Sequence, residues 1–205
     1  MLIEEFLSNI DTLLGEERPR ILIGIVGKPG VGKSTLVEKI KNRFPGDELA
    51  IISLDGFHLS NETLEANGAR NRKGAPDTFD SKSFTELLRL VKRGSGEIRF
   101  PIFHREIEAS VADEGVVPAK ARIIVVEGNY LLSRDFGWEK VAELLDFSYY
   151  LELDDHIRIQ RLIERHERYG KNPQEARAWA MGSDEANANF IDQDKDRATG
   201  VIEIL

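Results

Sequence analysis

The chain has 205 residues, 41% hydrophobic and 31% charged, the balance of a soluble globular protein long enough for one domain with a full core. Its net charge of −8 and the lack of any long basic run argue against nucleic acid or an anionic membrane as a partner. Without cysteine there is no disulfide framework and no thiolate zinc site, no apolar run approaches the roughly 18 residues of a membrane span, and the start lacks the basic residues of a secretory signal, so a cytoplasmic location is expected.

In chain order, Leu2, Ile3, Phe6, Leu7, Ile10, Leu13 and Leu14 recur at helical spacing and predict a packing helix over 2–14, ended by Gly15 and Pro19. The apolar run Ile21–Val26 reads as a buried parallel strand. After a glycine-rich stretch, Leu36, Val37 and Ile40 share a helical face, and Phe44-Pro45-Gly46 closes that helix. Leu49–Leu54 is a second strand that ends at Asp55. From Gly56 to Asp80 the chain is mostly polar and predicts a long loop with one helical turn, a length that is usually functional.

Phe84, Leu87, Leu88 and Val91 predict a helix over Ser81–Arg93 capped by Gly94. Extended pieces at Ile98–Phe103 and Val116–Val117 suggest a small β excursion, and Arg122–Glu127 and Asp146–Leu153 are further strands. Three helical segments come next, Asp155–Tyr169 closed by Gly170, Pro173–Met181 opened by Asn172 with Glu175 in capping-box register, and Ser183 to about Arg197. Val201–Leu205 is a final strand. Strands alternating with helices imply an α/β fold, a largely parallel sheet flanked by helices, in a single domain over 1–205 with its core at 20–205.

The chemistry centres on Gly27-Lys28-Pro29-Gly30-Val31-Gly32-Lys33-Ser34-Thr35, a G-x-x-x-x-G-K-S spacing between a strand and a helix. Backbone N–H groups of such a loop converge on phosphate oxygens, and the helix N-terminus adds positive potential. Lys33 is expected to reach the β- and γ-phosphates of ATP, and Ser34 to ligate Mg²⁺. Asp55 and Glu127 also end strands, where ligands of parallel sheets bind. Glu127 is expected to serve the Mg²⁺ site, the alternative being a cap on the turn at Gly128-Asn129. Asp55 suits a carboxylate that orients or deprotonates an acceptor hydroxyl, the alternative being an Asx-turn with Gly56. Arg158, Arg161, Arg165 and Arg168 fall on one helical face, so a lid over about 155–170 would bring guanidinium groups to the transferring phosphoryl. A solvated basic face with a Glu164–Arg168 pair is the other reading, and the one preferred for Arg158 and Arg168.

Gly27–Thr35, Leu54-Asp55-Gly56-Phe57-His58-Leu59, Arg72–Asp80 and Val125-Val126-Glu127-Gly128 together resemble the phosphoribulokinase/uridine kinase family, nearest to its pantothenate-kinase-like branch. The resemblance runs from about residue 20 to the C-terminus and implies a P-loop kinase with ATP, Mg²⁺ and a small hydroxylated substrate. It makes Asp55 the catalytic carboxylate, places Glu127 at the metal, and tips Arg161 and Arg165 to lid function. Where that branch carries Pro-x-Tyr-x-His, this chain has Pro101-Ile102-Phe103-His104-Arg105, which argues against pantothenate itself. His58, Arg72, Arg105, Asp184 and Asn187 are the candidate acceptor contacts, each with a plain structural alternative, and a sugar is one possible acceptor. A homodimer is left open. The competing function, a regulatory ATPase acting on a protein, lacks the Asn-Lys-x-Asp motif of a guanine-specific switch.

Overall fold

The computed structural model describes residues 1–16, 20–94 and 96–204. Pro19, expected to end the first helix, and Leu205, expected to end the last strand, lie outside them. Five parallel strands form the central sheet: β1 (Ile21–Val26), β2 (Leu49–Ser53), β5 (Ile123–Glu127), β6 (Phe147–Glu152) and β7 (Gly200–Glu203), in the order β2-β5-β1-β6-β7. Successive side chains of a strand point to opposite faces, so β1 feeds two cores. Ile21, Ile23 and Ile25 pack with Phe6 and Ile10 of α1 (Ile3–Gly15) and Leu36 and Ile40 of α2 (Lys33–Arg43). Leu22 and Val26 join Trp138, Tyr130 and residues Phe84, Leu88 and Val91 of α4 (Ser81–Arg93) on the other face. All six residues of β1 are buried, which is why its sequence is apolar throughout.

Two expectations change. The segment after β2 is not a loop with a single turn. It folds into a 3₁₀ turn over Leu54–Phe57, α3 (Asn61–Ala66, capped by the Ser60 side chain) and two more 3₁₀ turns at 70–72 and 76–78. Phe57, Leu64, Ala69 and Phe79 are buried there, anchors too sparse to show a period in the sequence. The last two helices are also one continuous path: α6 (Pro173–Trp179) runs through a π turn at Ala180–Asp184 into α7 (Glu185–Asp192). The extra residue of such a turn rotates the helix beyond it, and Asp184 is turned inward to 8% exposure.

The expected β excursion is a full antiparallel hairpin, β3 (Ile98–His104) with β4 (Ala109–Val117), irregular between Phe100 and Ile102. Pro101 sits at that irregularity, where its missing N–H costs no ladder bond. The hairpin crosses so near the turn after β2 that a Cβ on Gly56 would lie 2.1 Å from the Pro101 carbonyl oxygen. α5 (Asp155–Arg168) packs over the end of the sheet, with Leu162 fully buried.

Candidate active site

β1 delivers the chain to Gly27 and α2 carries it away from Lys33, so the loop between them lies at the carboxyl edge of the sheet. Gly30 and Gly32 have φ of +81° and +107°, a region that favours glycine. A Cβ on Gly30 would also lie 2.7 Å from Leu162 Cγ, so α5 rests directly on the loop. Lys33 is 9% exposed, and its Nζ donates to the carbonyls of Gly27 at 2.7 Å and Lys28 at 3.2 Å. Burial brings its pKa down to about 8, against the pull of Glu127 and Asp55. An ammonium in such surroundings gains from any anion that approaches.

Glu127 lies opposite Ile25 of β1 and Ser53 of β2 in the sheet register, between those two strands. Its Oε1 accepts from Ser34 Oγ at 3.0 Å, and the next N–H, Gly128, bonds Ile25. The carboxylate therefore faces the loop and does not cap the turn. Burial holds its pKa above the usual carboxylate range, with Lys33 opposing and Asp55 adding to the rise. Hydroxyl and carboxylate oxygens are donors that fit Mg²⁺. Among the described residues no group of three or more His, Cys, Asp or Glu forms a metal cage. This pair suits an ion that takes its other ligands from phosphate and water.

Asp55 is held in the turn by Ser53, whose Oγ accepts its N–H at 3.3 Å. Among the described residues its carboxylate bonds only Arg105, with Nη2 2.8 Å from Oδ2, so the Asx-turn reading fails. Arg105 reaches it from the turn of the hairpin. His58 donates from Nδ1 to the Asp55 carbonyl at 2.8 Å, since a carbonyl only accepts, which leaves Nε2 as the acceptor in the neutral ring. Its ring stacks between Phe79 at 4.0 Å and Phe103 at 4.7 Å, and burial lowers its pKa.

Arg165 turns toward the same space. Burial pulls its pKa below the ordinary value, Asp184 and Asp55 oppose this, and Arg105 adds to it. Among the described residues the Arg161 and Arg165 side chains have no hydrogen-bond or ion-pair partner. Arg161 Nη1 lies 3.8 Å from where a Cβ on Gly32 would be, over the phosphate loop. Two unpaired guanidinium groups thus flank the loop and Asp55.

The other expected contacts divide. Asp184 lies 2.6 Å from His166 Nε2 and near Arg165, on the acceptor side. Asn187 Nδ2 donates to the Gly74 carbonyl at 3.5 Å, and Tyr130 Oη to the same oxygen at 2.5 Å, so both pin the loop that follows Arg72. Arg72 is drawn away: it pairs with Asp77 of its own loop and is not among the charges that act on Lys33, Glu127 or Arg165. Lys28 faces Asp155 at 3.3 Å and Asp192 at 3.7 Å. The solvated-face reading of Arg158 is wrong, because this side chain is fully buried, whereas Arg168 is exposed and Glu164 bonds Gln160 in its place.

Sequence reasoning missed Lys73, which bonds Asn61 Oδ1 at 2.7 Å and the Glu108 carbonyl at 2.9 Å with its ammonium over Phe103. It also missed Tyr130 and His166, whose partners are more than fifteen residues away and leave no local signal.

A sequence model of the phosphoribulokinase/uridine kinase family matches residues 22–205. The chain belongs to that family. Similar family members include the Schizosaccharomyces pombe protein named "Putative uridine kinase C227.14", 37% identical over 78% of this chain and 72% of that one. The pantothenate kinase of Brevibacillus brevis is 29% identical over 79% of this chain, which spans 55% of that enzyme's length. Among solved structures, a "putative fructose transport system kinase" from Silicibacter sp. TM1040 superposes with a TM-score of 0.89 at 33% identity, covering 98% of both chains. The protein is a P-loop kinase of this uridine, pantothenate and sugar kinase-like family, built on a parallel sheet flanked by helices. No helix among the described residues is long and apolar enough to cross a membrane.

Proposed function

We propose that the protein transfers the γ-phosphoryl group of ATP to a hydroxyl of a small polar metabolite. The observation that carries this reading is the convergence of Lys33, the Ser34–Glu127 pair, Asp55 and the unpartnered Arg165 at one edge of the sheet. The loop from Gly27 to Thr35 binds the phosphates, and Lys33 leaves its carbonyl partners for the β- and γ-oxygens. Ser34 and Glu127 would hold Mg²⁺, which would supply positive charge beside the phosphates. Asp55 orients the acceptor hydroxyl and takes its proton as the new P–O bond forms and the bond from the γ-phosphorus to the bridging oxygen breaks, leaving ADP. Arg161 and Arg165 stabilise the charge spread over the transferring group, where arginine's planar fork matches phosphate geometry.

On the acceptor side, Arg105 next to Asp55 and Asp184 next to Arg165 offer donors and acceptors to a polyhydroxylated molecule. Phe103 and Arg105 in place of a tyrosine and a histidine disfavour pantothenate. The relatives named for uridine, pantothenate and fructose support a small-molecule acceptor of this kind. The test is ATP turnover and label transfer with MgATP and a panel of pantothenate, uridine, ribose, fructose and related polyols. Stimulation by one hydroxylated compound, with label in that product, is expected. Turnover stimulated only by a protein would replace the kinase with a regulatory ATPase.

A further inference from the structure

Arg158 is the largest charged side chain with no exposure to solvent. Its donors are spent on three elements. Nε bonds Asp155 Oδ1 on its own helix at 2.6 Å, Nη2 bonds Glu185 Oε2 at the start of α7 at 2.6 Å, and Nη1 reaches the Pro29 carbonyl in the phosphate loop at 3.3 Å. Asp155 in turn faces Lys28, which also faces Asp192 of α7. Two consecutive loop residues are thus tied from outside to α5 and α7.

A phosphate loop works by turning N–H groups toward the anion, and the peptide plane fixes what that requires. In a trans peptide the C=O and the N–H point in opposite directions. Holding the Pro29 carbonyl against Arg158 therefore directs the Gly30 N–H to the opposite side of the loop. Gly30 itself, at φ +81° and against Leu162, adopts the conformation that turn needs. A peptide flip at this point would swap an N–H for a carbonyl and present phosphate with a like charge.

We infer that Arg158 is a positioning residue of the phosphate site. It locks the Pro29–Gly30 peptide with its N–H available to phosphate, and its bond to Glu185 makes that geometry depend on α7. The same helix carries Asn187, which holds the Gly74 carbonyl, so one helix is bonded to both the phosphate loop's anchor and the loop that follows Arg72. This inference rests on the reading of Gly27–Thr35 as the nucleotide site.

The test uses Arg158→Lys, which keeps the charge and loses the fork, and Glu185→Gln, which keeps the shape and removes one countercharge. Affinities for MgATP, inorganic pyrophosphate and adenosine are measured by calorimetry well below each variant's Tm. Both variants should bind MgATP and pyrophosphate about tenfold more weakly, the equivalent of one hydrogen bond of the charged class, with adenosine unchanged. If Arg158→Lys does not fold, Glu185→Gln carries the comparison. A folded Glu185→Gln with lowered Tm and parental affinity for both phosphate ligands overturns the inference and leaves Arg158 a core ion pair. Lys33→Ala separates the two levels: full MgATP affinity in that variant sinks the nucleotide-site reading, and this inference with it.

Discussion

Lys33 should cost the empty protein stability, and replacing it tests the site without an acceptor. Its ammonium is 9% exposed, and burial brings its pKa from 10.5 to about 8. That drop corresponds to roughly 3 kcal/mol. Below about pH 8 the folded and unfolded chains both carry the proton, and the folded state bears the whole cost. Between about 8 and 10.5 the folded protein releases the proton while the unfolded chain keeps it, so stability rises with pH. The gain amounts to roughly 6–12 °C in Tm for a domain of this size. Lys33→Met keeps the length and loses this titration, along with two hydrogen bonds worth about 0.5–1.5 kcal/mol each. Near pH 7 the variant should therefore melt within a few degrees of the parent or above it, although phosphoryl transfer is lost. Thermal melts of both proteins from pH 7 to 10 should show the parent gaining on the variant by several degrees. Parallel profiles would mean that no buried, charged ammonium sits in the loop. Bound phosphates should reverse the preference, so MgATP affinity of the parent should fall as pH climbs past 8.

Asp55→Asn should leave ATP affinity unchanged and slow single-turnover transfer by about 10²–10⁴, the range for a lost general base; the parental rate would remove Asp55 from the chemistry. Its pair with Arg105 is half-exposed, so the variant should melt within about 1 kcal/mol of the parent. Ser34→Ala should raise the magnesium needed for half-maximal activity, and an unaltered magnesium titration would take Ser34 out of the metal shell. Because burial raises the pKa of Glu127, that magnesium requirement should grow in the parent as pH falls toward the upper end of the carboxylate range. With a non-hydrolysable ATP analogue, amide exchange should slow across 163–170, while 155–162, already packed on Gly30 and Pro29, stays slow in both states. Equal exchange across 163–170 would leave Arg165 outside the closed site.

What the sequence determined by itself was local. The apolar runs at 21–26 and 123–126, the glycine spacing of 27–32, and the caps at Gly94 and Asn172 each report the conformation or burial of their own few residues. The apolar runs therefore placed the strands of the central sheet within a residue or two, and with them Asp55 and Glu127 at or just past strand ends and Lys33 at the start of α2, whereas of β4 only Val116 and Val117 were legible. Side chains whose partners are distant carried no such signal. Ser34 meets Glu127 across 93 residues, Asp55 meets Arg105 across 50, and Arg158 meets Pro29 across 129. Arg158 and Arg168 look alike in a helical pattern, and only packing of α5 on the phosphate loop buried one and left the other in water. A guanidinium is placed by whatever carboxylates and carbonyls the fold brings to it, and that depends on how the helices dock, which residue spacing along a single helix does not encode.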